Sequence, residues 1–284
     1  MKPVFSFVLI ACTSLLTVGC SGGSDEPTPN TSESRKLAIR ISPSITESRA
    51  TDSGFEKGDC VGLYVINRSR GASGTLLDAG NYVDNIRYTY DGAWVPDKPI
   101  YWEDEETHAD FYLYYPYTKI NSVKAHPVAV RSNQATTASY KASDFMVGWK
   151  MDVTPTENAT AISVSHVMSR IIITLEPGGG FTKESLAAAN VSVRINGVRC
   201  NSTVDLSTGT VTPTGEATAV VPLFSDNTYK ALIVPQTVGE GNLITVTVDG
   251  REFNLKKGFT FTGAKSHQFT VILSKTSDDH GGCR

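Results

Sequence analysis

The chain has 284 residues and a net charge of −3, with 26 Lys and Arg against 29 Asp and Glu spread along its length. With no basic stripe, that balance excludes nucleic acid as the expected partner. The cysteines Cys12, Cys20, Cys60, Cys200 and Cys283 show no CxxC or Cys/His spacing, which excludes a zinc module and a regular disulfide scaffold.

Residues 1–19 read as an export signal that ends before a cysteine to be lipidated, Cys20. Lys2 supplies the positive start, Val4 to Val18 carries no charge, and Gly19-Cys20 closes the run. An apolar run of about 15 residues is shorter than the ~20 that a membrane-spanning helix needs. Leu9-Ile10-Ala11-Cys12 offers a second apolar-apolar-small-Cys pattern. Cleavage there leaves only a very short apolar segment, so Cys20 is the expected acceptor. An ordinary secreted chain without lipid is the alternative. Residues 20–35, rich in Ser, Thr, Pro, Gly and Glu, form the expected flexible tether. Ser21-Gly-Gly-Ser-Asp-Glu26 is similar to the acidic tether of lipoproteins sent to the outer face of the outer membrane.

The remainder reads as a β protein. Leu37-Ala-Ile-Arg-Ile-Ser42 alternates apolar and polar residues, the period of a half-buried strand. Val61 to Ile66 is a second strand, with Cys60 at its start. Tyr88-Thr-Tyr90 and Ala93-Trp-Val95 flank Asp91-Gly92, a hairpin signal. Asp110 to Tyr115 is an aromatic-rich strand that stops at Pro116. Ile162 to Met168 alternates, whereas Arg170 to Glu176 is apolar on both faces, as a central strand is. Strands follow at Val191–Ile195, at Thr203–Leu206 and Thr210–Thr212 around Ser207-Thr-Gly209, and at Lys230–Val234. Leu243–Val248 and Arg251–Leu255 are joined by Asp249-Gly250, and His267–Leu273 closes the series. The best helical pattern is Thr182 to Ala189, with Thr182 as N-cap. Many short strands between turn signals predict sandwiches, not a parallel sheet. The polar stretch Thr154 to Thr160 reads as a linker, which divides the chain into 36–157 and 158–284, the latter with a polar tail.

No pattern of an enzyme is present: Gly-x-Ser-x-Gly, His-Glu-x-x-His and P-loop spacings are all missing, and no cofactor is expected. Gly178-Gly-Gly-Phe-Thr-Lys183 reads as a strand-to-helix loop. Asp205-Leu-Ser-Thr-Gly209 reads as a hairpin turn. Glu103-Asp-Glu-Glu106 with His108 and Asp110 offers oxygen ligands at no recognised cation spacing, so a solvated acidic loop is expected. His166 shares a strand face with Ile162, Val164 and Met168 and reads as a satisfied core histidine.

Several stretches together resemble the fimbrillin family, the pilins and pilus-associated lipoproteins of type V fimbriae. They are Ser48 to Asp59, Val61 to Tyr64, Tyr88 to Trp94, Ile100 to Trp102, Ala109 to Tyr117, Tyr140 to Gly148, Ser165 to Arg170 and Val204 to Val211. The resemblance implies an all-β fold of two transthyretin-like Greek-key β-sandwich domains in series. It also implies a subunit exported as a lipoprotein and cut after an arginine by a trypsin-like protease. Arg49-Ala50 is the expected cut, in the polar loop after the first strand; Arg35 and Arg40 are the other tryptic candidates, Arg40 being shielded in its strand. Loss of the first strand opens a groove, which a strand of the next subunit fills. Four apolar side chains buried at ~1.5–3 kcal/mol each make a strong joint before entropy costs. The expected donor is Gln268 to Ser274, with Phe269, Val271 and Leu273 on one side. Expected partners are other fimbrial subunits, the outer membrane through the lipid, and the protease. The alternative is a surface lipoprotein that does not polymerise, an anchor, a tip or a binder of host glycan or protein. Trp94, Tyr101, Trp102 and Tyr112 to Tyr117 are its candidate stacking residues, against a plain core role.

Overall fold

The computed structural model describes residues 36–46 and 54–275. It is all-β, with two short helices among the described residues. In chain order the elements of the first part are β1 (Ile41–Ile45), β2 (Cys60–Asn67), β3 (Val83–Tyr90), β4 (Trp94–Pro96), β5 (Ala109–Tyr115), β6 (His126–Ala129), α1 (Thr137–Lys141), β7 (Met146–Val153) and β8 (Thr160–His166). The second part holds β9 (Ser169–Pro177), α2 (Lys183–Ala188), β10 (Val191–Val204), β11 (Val211–Val220), β12 (Leu223–Ser225) and β13 (Thr228–Ile233). It ends with β14 (Gln236–Val238), β15 (Asn242–Val248), β16 (Arg251–Lys256), β17 (Phe259–Phe261) and β18 (Ser266–Leu273).

Seven strands form one sheet in the order β1-β8-β7-β5-β2-β3-β4. A second sheet runs β11-β10-β15-β16, with β6 also pairing β10. A third runs β12-β13-β9-β18, and β14 pairs β17. Nearly every ladder is antiparallel, as many short strands with tight turns dictate. Two are parallel: β1 on β8 and β18 on β9, the first and last strands of the described chain. β8 lies beyond residue 157 yet pairs with β1 and β7, so the seven-stranded sheet runs on to His166.

Alternation sends side chains to two different cores. On β5, Phe111 and Leu113 join a cluster with Ile39, Ile41, Val61, Leu63, Ile162 and Val164. Tyr112 and Tyr114 face the other way, into a layer with Tyr64, Phe145, Met168, Val204 and Leu232. A third cluster gathers Ile171, Ile173, Val246, Phe253, Val271 and Leu273. β9 has β13 on one side and β18 on the other, the central place its apolar run implies.

Turn chemistry is where the sequence placed it. Asp91-Gly92 joins β3 to β4. Asp249 (φ 47°) and Gly250 (φ 85°) both take the left-handed conformation that a tight hairpin requires, between β15 and β16. Thr182 caps α2, its side chain accepting from Ser185 N. The first strand is displaced from the expected Leu37–Ser42. Its ladder to β8 covers Ile41–Ile45, while Ile39 N donates to Ile100 O and Trp102 N to Leu37 O. The apolar alternation carries through Pro43 to Ile45. Proline is tolerated there because β1 is an edge strand.

Gly148 marks the tightest approach near β1. It lies opposite Val164 on β8, and a Cβ there would stand 2.4 Å from Ser163 O and 2.8 Å from Val164 Cγ1. Backbone cannot yield as a flexible side chain does. Gly148→Ala is expected to lower stability by about 1–3 kcal/mol, read as a lower denaturant midpoint.

Candidate functional site

The site is assembled on β1. Ile39 and Ile41 are buried, Leu37 and Ile45 pack partly against the same core, and Arg40, Ser42 and Ser44 are exposed. The segment is held in two halves. Leu37–Ile39 bonds to Ile100–Trp102, and Tyr88 Oη donates to Ile39 O at 3.1 Å. Thr160 N donates to Arg40 O and Thr46 N to Val164 O, each at 2.8 Å. The sheet order places β1 at one edge, with β8 as its neighbour in that sheet. Removing β1 exposes a row of β8 backbone groups and an apolar trough bordered by Ile162 and Val164, a template for another strand.

A cleft lies at each end of this trough. At the start, a cleft of 460 Å³ is lined mainly by apolar side chains, among them Ile39, Ile41, Trp94, Pro99 and Ile100. At the far end, a cleft of 430 Å³ is lined by Ile45, Phe55, Tyr115, Tyr140, Met146 and His166, with the charged groups Glu56, Asp59, Asp144 and Lys141. Lys141 Nζ donates to Glu56 Oε1 at 2.6 Å. His166, 2 % exposed, meets Asp144 Oδ2 through Nδ1 at 2.5 Å, which makes it a satisfied core histidine. Tyr115 Oη donates to Asp59 Oδ1 at 2.9 Å. Burial, and then that carboxylate, push the Tyr115 phenol well above its ordinary range, so it stays a donor at neutral pH.

Sequence reasoning found β1 but not these clefts. Their walls come from loops and strand ends far apart in the chain, and no local spacing unites them. Tyr140 to Gly148, one of the stretches behind the family resemblance, supplies one wall of the second cleft.

Cys20, Arg49 and Ala50 lie outside the described residues. Ile45 and Gly54, on either side of the segment that holds Arg49 in the sequence, both line the second cleft. Phe269, Val271 and Leu273 are on β18, which is an edge strand parallel to β9. They are buried in their own chain's core, apart from the cluster that contains Ile39 and Ile41. The candidate stacking residues divide. Trp102, Tyr112 and Tyr114 are core, while Tyr101 is exposed.

The acidic stretch is structural in its geometry. The Asp104 carboxylate accepts from Glu106 N and Thr107 N, and Asn67 Nδ2 donates to Glu103. Asp110 is instead fully buried and paired with Arg68. Among the described residues no three His, Cys, Asp or Glu side chains are grouped to hold a metal.

Comparison with known proteins agrees with the resemblance. The fimbrillin-like family model matches residues 48–283. The chain is 25 % identical to a Bacteroides uniformis protein named "Putative fimbrium subunit Fim1C", over 94 % of this chain and 90 % of the other. A Bacteroides ovatus protein named "Putative fimbrium tip subunit Fim1C" is also 25 % identical, over 55 % of this chain and 32 % of the other. A solved "putative cell adhesion protein" of Bacteroides uniformis shares the fold, with a TM-score of 0.65 and 21 % identity over 84 % of this chain and 94 % of that one. One from Bacteroides ovatus reaches 0.67 at 16 % identity, over 85 % and 94 %. With the matched region spanning most of the sequence, this chain belongs to the fimbrillin-like family.

Proposed function

We propose that this chain is a structural, non-catalytic subunit of a cell-surface fimbria that polymerises by strand exchange and supports adhesion. Residues 1–19 direct export, Cys20 carries the lipid that holds the precursor at the outer membrane, and an arginine-specific protease cuts between Arg49 and Ala50. The cut frees β1 together with the lipid anchor. The vacated trough on β8 then receives the C-terminal strand of another subunit, with Phe269, Val271 and Leu273 facing inward. Two transthyretin-like sandwiches in series carry the joint. A division after His166, between β8 and β9, keeps the seven-stranded sheet whole and is crossed by β6, which pairs β10.

One observation carries this reading. The strand before Arg49 is an edge strand whose alternate residues Leu37, Ile39, Ile41 and Ile45 fill a core that the rest of the chain leaves open. A strand so placed is separable without breaking another ladder of its sheet. A second reading, a terminal subunit that accepts a strand but gives none, is favoured by β18, whose three apolar residues already fill their own core.

The test is the N-terminus and assembly state of the protein taken from sheared surface filaments. A chain beginning at Ala50 that runs as a multimer ladder in unheated gels is the expected result. An acylated Cys20 on monomer alone would overturn polymerisation and leave the non-polymerising lipoprotein.

A further inference from the structure

We infer that residues 126–134 are a clamp, with the Gln134 carboxamide as its catch, that makes the strands up to β8 and those from β9 onward unfold as one unit. The inference goes beyond the fimbrial reading and does not depend on it.

The clamp starts as an excursion from the seven-stranded sheet. β5 and β7 pair with each other there, yet the chain between them leaves that sheet and joins another. β6 runs antiparallel along β10, from His126 opposite Val204 to Ala129 opposite Asn201. Among the described strands up to β8, it is the one that enters a sheet of the later strands. The attachment continues past β6. Val130 N donates to Cys200 O at 2.9 Å, and Val221 N to Ser132 O and Gln134 N to Val221 O at 2.8 Å each. Ser202 Oγ donates to Val128 O at 2.9 Å. The segment is also tied back to its own part. The His126 ring centroid lies 5.7 Å from that of Phe145, and Arg131 N donates to Ser143 Oγ at 2.9 Å.

Gln134 closes the clamp. The β12 ladder ends with Leu223 opposite Lys230, so Leu232, two residues further along β13, has no strand on that side. Lys230 and Leu232 turn their N–H and C=O groups the same way, because the direction alternates along a strand. The Gln134 side chain meets those open groups. Its Oε1 accepts from Leu232 N at 2.9 Å, and its Nε2 donates to Leu232 O at 2.8 Å and to Arg131 O at 3.0 Å. One carboxamide thereby stands in for a missing strand residue. Gln134 is 0 % exposed and Leu232 1 %. Tyr64 and Tyr114 of the first part and Val204 and Leu232 of the second share one apolar layer. Apolar burial alone is non-directional and admits slippage. The paired amide admits one register, and parting it leaves two buried backbone groups unsatisfied.

The three tryptophans, Trp94, Trp102 and Trp149, all precede β9, so their fluorescence follows the first part. Amide exchange at Ile171, Ile173 and Val246 follows the second. The test is urea unfolding of the full-length, unprocessed protein read by both signals. The parent is expected to lose both at one midpoint. In Gln134→Leu the two midpoints are expected to separate, and protection of the Leu232 amide to fall roughly ten- to a hundredfold. A common midpoint that moves to lower urea in Gln134→Leu would overturn the inference, and so would parent midpoints that already differ. Should Gln134→Leu not fold, Ser202→Ala removes only the bond to Val128 O and is read in the same way. A smaller separation is expected there, and a shared shift would overturn the clamp. Neither cleavage nor assembly enters the measurement, so its failure leaves the fimbrial reading standing.

Discussion

Ile162→Ala weakens both the unprocessed protein and the filament, whereas Ile41→Ala weakens the unprocessed protein alone. Ile162 has no exposed surface and lies on β8 beside β1, opposite Pro43, and Ile41 is 4 % exposed on β1. Either truncation removes three buried carbons and leaves a cavity, at a cost of about 2–5 kcal/mol to the unprocessed chain. The two part company after cleavage. Ile41 leaves with the excised segment, so its substitution is not carried into the filament. Ile162 stays, and the donor strand must pack against the cavity left by its truncation. The checks are urea unfolding of the unprocessed protein and the temperature at which the unheated-gel ladder dissolves. Equal weakening of the ladder by both substitutions would mean that β1 is retained in the filament, against the proposed exchange.

The parts of this fold legible in the sequence are those that local chemistry decides. Alternation located β8, the apolar run Val61 to Ile66 located β2, the aromatic-rich run Asp110 to Tyr115 located β5, the doubly apolar run Arg170 to Glu176 located the central β9, and Asp-Gly pairs located two hairpins. Thr182 located α2 because a cap is a contact within one turn. Harder to read was what long-range pairing decides. β6, β12, β14 and β17 are three or four residues long, too short to show a period; β6 and β12 are held by the longer β10 and β13, while β14 and β17 pair with each other. The parallel placement of β1 and β18 left no local mark, since side-chain alternation is the same in either direction. The trough itself was half legible: the apolar stripe of the first strand was plain, but its extension through Pro43 to Ile45 depended on its edge position. The clefts that close the trough depended on Tyr115, Asp144 and His166 meeting across three elements.

The acidic stretch near β5 leads to the second expected result, an acid sensitivity centred on Asp110 and Arg68. Asp110 has a fully buried side chain. Its Oδ1 accepts from Arg68 Nη1 at 2.7 Å and from Asp152 N at 2.8 Å, and its Oδ2 accepts from Ser73 Oγ. Burial pushes this carboxyl up, but the Ser73, Asp152 and Arg68 hydrogen bonds outweigh it and leave the pKa below the ordinary aspartate value. A carboxylate whose folded pKa is depressed adds stability above the unfolded value of about 3.9, and that stability is lost as pH falls through the lower folded value. Arg68→Met strips away the charge partner and leaves the carboxylate buried with two neutral donors. Leaving a buried charge unpaired belongs to the most destabilising class of single change. The denaturant midpoint at pH 7 is therefore expected to fall in Arg68→Met, and its loss of stability on acidification to be shallower than in the parent, because protonating Asp110 then costs less. An unchanged midpoint with a parallel acid profile would show that the pair does not hold this end of the sheet. The same saturation argues against Asp110 as a cation ligand: its oxygens already serve three donors that tie the 68–73 loop and the end of β7 to the central strand.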